Sequence, residues 1–238
     1  MSRLGGITLT WLGHSTLHLK TAAGTSILID PWIDGNPLYP ADKKSFDKVD
    51  VMLLTHGHSD HTGSALEVAK QHNPAVVCMV ELGDLLEGQG LKSRELVAIN
   101  LGATVQVDDL EISMVEARHS SSYMIDGKPT YAGPPVGFIV KPENGPVIYF
   151  AGDTSLFSDM KLIKALYAPE IAVLPIGDFY TMGPKHAAIA AEWIGAKTVI
   201  PIHFGTFPVL RGRPDTLREA LEGKGIDVLE LTIGEPTA

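Results

Sequence analysis

Only one cysteine, Cys78, occurs among the 238 residues, so the chain can close no internal disulfide and build no multi-cysteine zinc or iron–sulfur site. Positive charge is short as well. The 19 Lys and Arg stand against 28 Asp and Glu, a formal net charge of −9, which disfavours a general nucleic-acid or anionic-membrane binder. No stretch approaches the ~18 uninterrupted apolar residues of a membrane span. The opening Met1-Ser-Arg-Leu-Gly-Gly-Ile7 has neither the apolar centre nor the small-residue cleavage site of a secretory leader. A soluble, cytoplasmic chain is the expectation. No linker-like segment, charge run or low-complexity tract interrupts it, so one domain over residues 1–238 is expected, long enough to bury ~70–75% of its unfolded surface without staples.

Short strands separated by turns are expected at residues 7–12, 16–20 and 26–30. The pattern changes at 49–55, a near-continuous apolar run suited to a strand covered on both faces. Helices are expected at 64–71 and 84–89, on either side of a buried strand at 75–80. Residues 96–116 return to strand and turn, with Asp108-Asp109 as a hairpin tip, and 136–140 pairs with 147–150. The last third alternates helix (156–167, 185–194, 216–222) with strand (171–175, 198–202, 228–231). Strand-rich and strand–helix stretches in both halves predict an α/β (α+β) domain of two sheets back to back with helices outside. Residues 120–135, with Gly127, Pro129, Gly133, Pro134 and Pro135, read as one long irregular loop, a length that in a compact domain marks function or disorder.

Histidine is what the chain has in quantity, nine residues, and its placement carries the chemistry. Thr55-His56-Gly57-His58-Ser59-Asp60-His61 directly follows the buried strand. Three imidazoles and a carboxylate within six residues suit a loop that wraps a cation such as Zn²⁺, or Mn²⁺ and Fe²⁺ with harder partners, and Gly57 would let the backbone turn sharply between two ligands. His119, Asp153 (in Phe150-Ala-Gly-Asp-Thr154) and His203 (in Val199-Ile-Pro-Ile-His203) each follow an apolar strand. Strand ends are where open α/β sheets gather their ligands.

The pattern His-x-His-x-Asp-His, a lone His, Gly-Asp-Thr and a late His resembles the metallo-β-lactamase superfamily. Trp11-Leu-Gly-His-Ser15, Leu28-Ile-Asp-Pro31, Leu174-Pro-Ile-Gly177, Thr181-Met-Gly-Pro184 and Pro201-Ile-His203 make the chain similar to the UPF0173-type metal-dependent hydrolases, related to the ascorbate-6-phosphate lactonase branch. The resemblance implies a four-layer αββα sandwich with two divalent metals, zinc or manganese, on one edge. His56, His58 and His119 would hold the first; Asp60, His61 and His203 the second; Asp153 would bridge them. Four protein contacts for each metal leave room for a bridging hydroxide, the nucleophile for a small ester, lactone or phosphodiester. Iron-dependent redox chemistry and RNA processing are the alternatives on this fold. Di-iron members carry glutamate where this chain has His58, and the charge of −9 argues against RNA.

Outside these seven, His14 sits in a tight turn after the first strand, as a proton donor to a leaving group, a substrate clamp or a hydrogen-bonded turn residue. Asp60 is also a candidate for orienting the hydroxide. Asp30 is a candidate carboxylate partner for a ligand histidine, and Asp178 a candidate pocket residue. His186 reads as a helix-start or surface residue, His18 and His72 as strand-face and helix-surface residues, and Cys78 as a buried small hydrophobe. The 120–135 loop, with Tyr123, Met124 and Tyr131, could close over the cleft. Arg211, Arg213 and Arg218 form a small basic patch suited to an anionic substrate or to a solvated helix start. Phe179-Tyr180 and Pro134-Pro135 depart from the family pattern, both in loops expected to line the pocket. A small-molecule substrate is the expected partner, with no membrane and no nucleic acid, and self-association is left open.

Overall fold

Apolar–polar alternation opens the chain, and a computed structural model, which describes residues 4–43 and 45–238, folds it as a meander. β1 (Thr8–Trp11), β2 (Leu17–Lys20) and β3 (Ser26–Ile29) pair antiparallel, with Trp11 opposite Leu17 and Leu17 opposite Ile29. β4 (Val51–Leu53), β5 (Ala75–Met79) and β6 (Glu95–Ile99) then add in parallel, giving a six-stranded sheet in sequential order. Every residue of β4 and β5 is buried, which is why both appear as unbroken apolar runs. The helices α2 (Ala65–His72) and α3 (Val80–Gly88) pack on this sheet through Ala65, Val68, Leu82 and Leu86. A one-turn helix, α1 (Ser59–Thr62), precedes them. The second helix starts four residues before its expected Asp84, because a continuous apolar run hides the boundary between a buried strand and a buried helix face.

The second sheet begins with β7 (Thr104–Val107) and β8 (Leu110–Glu116), joined by the expected Asp108-Asp109 tip. β11 (Val136–Pro142) and β12 (Ile148–Phe150) continue it antiparallel; β13 (Ile171–Pro175), β14 (Thr198–Ile202) and β15 (Asp227–Val228) complete it in parallel. Its strand order is β15-β14-β13-β12-β11-β8-β7. The two sheets share a core in which Leu19, Ile27 and Val51 join Phe138, Val140, Ile148 and Val173. The outer face of the second sheet packs Tyr149, Ala172 and Leu174 against α4 (Met160–Tyr167), α5 (Pro184–Ile194) and α6 (Pro214–Ala220) through Met160, Ile163, Ala187, Ala191 and Leu217. Helix, sheet, sheet, helix is the expected four-layer sandwich, in one domain. Among the described residues no helix is long and apolar enough to cross a membrane.

Residues 120–135 depart from expectation. They contain a hairpin, β9 (Ser122–Ile125) and β10 (Lys128–Tyr131), rather than an irregular loop. Asp126 and Gly127 form its two-residue turn, both with positive φ (50° and 73°). An Asp-Gly pair meets that backbone demand at low cost, and the right-handed twist of paired strands favours such turns. The prolines that follow it, Pro129, Pro134 and Pro135, masked the signal.

Cys78 is fully buried and its thiol is pushed up to about 12 by burial, so it serves as a small apolar group. His18 is more informative. Ser26 Oγ donates to the Lys48 carbonyl, so it accepts the His18 Nε2 proton at 2.8 Å, and burial lowers the His18 pKa from 6.5 to about 4. Between those pH values the unfolded chain binds a proton that the folded chain refuses. Stability therefore declines as pH falls from 6.5 toward 4. His18→Gln should reduce the drop in Tm between pH 7 and pH 5, measured by thermal denaturation; an unchanged drop would show that His18 does not contribute.

Candidate metal centre

Strand ends on one edge of the sandwich deliver every residue of the site. β1 leads into His14, β3 into Asp30, β4 into His56 and His58, and α1 then presents Asp60 and His61. The second sheet delivers His119 after β8, Asp153 after β12 and His203 after β14. Strands whose carboxyl ends reach one edge concentrate their following turns there. Three of these turns are strained: His14, Asp30 and His203 have φ of 54°, 46° and 56°, a left-handed backbone costing roughly 1–2 kcal/mol each. The His14 carbonyl accepts from Trp11 Nε1 (2.9 Å) and His203 N (3.0 Å), which ties two of the strained turns together. Gly177 leaves room for the third strand end, since a Cβ there would lie 2.4 Å from the His203 carbonyl oxygen. Gly57 serves closeness rather than a sharp turn. Its φ is not left-handed, and a Cβ would sit 2.8 Å from Ala132 Cβ and 3.0 Å from the Ser122 carbonyl, so the β9–β10 hairpin packs directly on the histidine loop.

The seven expected ligands converge. Ligand atoms of His56, His58 and His119 lie within 4.8 Å of one another; so do those of His14, Asp60, His61 and His203, and those of His56, His61 and Asp153. His56 Nε2 is 2.9 Å from His58 Nδ1. Asp153 Oδ2 stands between the groups, 3.0 Å from His203 Nε2, 3.4 Å from His61 Nε2 and 3.7 Å from His119 Nε2. The first two groups follow the division expected from sequence, with His14 added to the second.

Carboxylates set the tautomers. Asp30 accepts the Thr55 amide (2.8 Å), the Thr55 hydroxyl (2.7 Å) and His61 Nδ1–H (2.7 Å). With its proton spent on Asp30, Thr55 Oγ1 can only accept from His56 Nδ1–H at 3.0 Å. One buried carboxylate thereby turns Nε2 of both His56 and His61 into the cluster, as a bare lone pair on His56 and, on His61, as the atom from which a bound cation would displace the proton. Burial opposes charge on His61, but Asp153 and Asp30 outweigh it and push its pKa well above the usual value. Burial likewise raises Asp153, and the His203 and His61 rings overcome it and hold the carboxyl well below its usual range. His61 Nε2, both nitrogens of His203 and Asp153 Oδ1 are buried yet make no hydrogen bond of adequate geometry. Orphaned buried polar atoms of this kind are rare, and a convergent imidazole and carboxylate set fits a divalent cation.

His14 is brought to the cluster but fully enclosed. Its Nε2 faces Asp60 Oδ2 at 3.1 Å and its Nδ1 faces Thr206 Oγ1 at 2.8 Å. Burial lowers its pKa to about 4, against the pull of Asp60, so the ring is neutral at pH 7. The ionised carboxylate only accepts, which puts the proton on Nε2 and makes the Thr206 hydroxyl the donor to Nδ1. Asp178 is not brought in: it is exposed, with φ of 80°, and its carboxylate lies against Gly183 at the start of α5. The arginine patch is also dispersed. Arg213 donates to the carbonyls of Leu210 and Gly212, and Arg218 pairs with Asp215 and Glu230. Thr55 and Thr206 escaped sequence reasoning. Thr55 adjoins the histidine motif, whereas Thr206 is 192 residues from its partner and carries no sequence signal.

Removing the negative charge of Asp30 should loosen both halves of the centre. Asp30→Asn is expected to weaken metal affinity ~10–100-fold in chelator competition and to cost ~1–3 kcal/mol of stability through the unpaired Thr55 and His61 donors. Wild-type affinity in that variant would remove Asp30 from the account.

Comparison with known proteins identifies the family to which this fold belongs. The family model described as Beta-lactamase superfamily domain matches residues 25–204. A UPF0173 metal-dependent hydrolase of Koribacter versatilis is 49% identical over 232 residues, covering 98% of both chains. Another from Methanopyrus kandleri is 45% identical over 230 residues, with 96% of each covered. The solved structure of Igni18, a metallo hydrolase from the hyperthermophilic archaeon Ignicoccus hospitalis, superposes with a TM-score of 0.85 at 34% identity over 97% of both chains. With whole-chain similarity of this kind on the same fold, the chain belongs to the metallo-β-lactamase superfamily, among the UPF0173 metal-dependent hydrolases.

Proposed function

We propose that this metal-dependent hydrolase acts on a small ester, lactone or phosphodiester with two divalent cations bound. His56, His58 and His119 would hold one cation, Asp60, His61 and His203 the other, and Asp153 both. One observation carries the reading: buried nitrogens of His61 and His203 and an oxygen of Asp153 converge without hydrogen-bond partners. The imidazole-rich set favours zinc, with manganese second. A divalent pair bound there supplies Lewis acidity, lowering the pKa of a shared water toward ~7 and polarising the scissile oxygen.

The chain's own groups do the orienting. Asp30 and Thr55 hold His56 and His61 with Nε2 of each ring turned inward. Burial raises the Asp60 pKa, but His14 and His61 outweigh it and keep the carboxyl ionised well below its usual range. Its side chain is 30% exposed, and Oδ2 is tied to His14. Oδ1 is left to meet the second cation. His14 is a positioning residue in this reading. Both its nitrogens are engaged, and Trp32, Phe207, His61 and His203 surround its ring, so it presents no proton to a leaving group.

Stripping the protein of metal with a chelator should abolish turnover across a panel of esters, lactones and phosphodiesters. Two equivalents of zinc or manganese per chain should restore it, with elemental analysis reporting the stoichiometry. Full activity without metal would overturn the reading. For His14, the Phe variant keeps ring volume but loses both polar contacts, whereas the Gln variant keeps an N–H for Asp60. His14→Phe should cut kcat ~10–100-fold and weaken one metal equivalent in titration, with His14→Gln closer to wild type. Equal loss in both variants would reject the positioning role.

A further inference from the structure

One aromatic pair packs on His14 at the ligand cluster and a second stands on a loop anchored beside Asp153 and His203; neither is needed to hold a cation. On the Asp60 side, Trp32 lies two residues beyond Asp30, and Phe207 lies one beyond Thr206. Their ring centroids are 6.0 Å apart, and each meets the His14 ring edge-on, at 5.2 and 5.7 Å. Both are only partly buried: one side of each seals His14 from water while another remains open. The shelf is fixed in place. The Trp32 amide donates to Thr16 Oγ1, and its indole rests against Gly63 and Gly35, where a Cβ would come within 3.1 and 3.3 Å.

On the Asp153 side, Phe179 and Tyr180 are 64% and 55% exposed, with rings 4.8 Å apart and perpendicular. Their loop is pinned beside two ligands. Gly177 abuts the His203 carbonyl, and Met182 N donates to the carbonyl of Thr154, next to Asp153. Exposed aromatics clustered on rigid loops beside reactive groups mark a binding surface for apolar matter. The charges at the rim point the same way. Asp60 offers a carboxylate, the guanidinium groups of Arg213 and Arg218 are spent on backbone carbonyls and surface ion pairs, and Arg211 lines a recess with Asp178, Lys185 and His186 at the start of α5.

We infer that Trp32–Phe207 and Phe179–Tyr180 form two apolar walls that grip the non-reacting part of the substrate, which makes the substrate a neutral ester or lactone with an aromatic or alkyl portion. The inference rests on the hydrolytic reading for the reacting bond, but not for the walls themselves. Each wall offers ring faces about as wide as a phenyl group, and removal of that group from water drives binding.

The test compares phenyl acetate with methyl acetate on the metal-loaded full chain, and measures binding of the unreactive probe N-phenylacetamide by calorimetry. In the wild type, kcat/KM should favour phenyl acetate beyond the ratio for uncatalysed hydrolysis, and the probe should bind saturably. Trp32→Leu, Phe207→Leu and the fully exposed-side variant Tyr180→Ser should each lower the phenyl-to-methyl ratio at least ~5-fold and weaken the probe by a similar factor. A role limited to enclosing His14 would lower both esters together and leave the ratio unchanged, which overturns the proposal. So would absence of probe binding to the wild type. If neither ester is hydrolysed but the probe binds and responds to the variants, the hydrolytic reading fails while the apolar walls stand.

Discussion

Buried nitrogen and oxygen atoms held without partners are the constraint around which this molecule is organised. Each such atom costs on the order of 1–3 kcal/mol when left unsatisfied, and several of them meet between His61, Asp153 and His203. A fold tolerates that only where a large core offsets it. The shared core between the two sheets and the second core beneath α4, α5 and α6 supply that offset. The site lies at their common edge, where strand ends from both sheets meet.

The second device is economy of orientation. Asp30 takes three hydrogen bonds on one carboxylate and, through Thr55, sets the tautomers of histidines in both ligand groups. Asp60 is oriented from the opposite direction by a neutral His14, which Thr206 locks in turn. The two chains of contact begin on different strands and end on side chains only four residues apart, His56 and Asp60. Left-handed backbone at Asp30 and His14, one in each chain, and at His203 beside them adds strain along this edge. Strain held at a functional edge by surrounding structure is a common way to keep ligands in place before anything binds.

Surface chemistry completes the design. The rim offers aromatic rings and the Asp60 carboxylate, whereas two of the three arginines that suggested an anionic substrate are used internally or in surface pairs. Sequence proximity placed those arginines near His203, but their side chains had nearer acceptors. The hairpin over Gly57 makes the opposite point. Its Asp126-Gly127 turn is a local signal, yet the prolines after it dominated the reading of that stretch as irregular.

Local order in the chain was enough to determine most of the architecture and which histidines and aspartates gather at one edge. Buried parallel strands announce themselves as apolar runs, and histidines placed directly after such runs must emerge at a sheet edge. Asp30 was legible for the same reason. The tertiary structure alone decided which second contacts each of these side chains makes. Thr206 reaches His14 across 192 residues, Trp32 and Phe207 close on the same ring from separate loops, and Asp178 turns toward α5 instead of the cluster. Hydrogen-bond direction and ring contact depend on distances between segments far apart in the chain, and no periodicity within a segment encodes them.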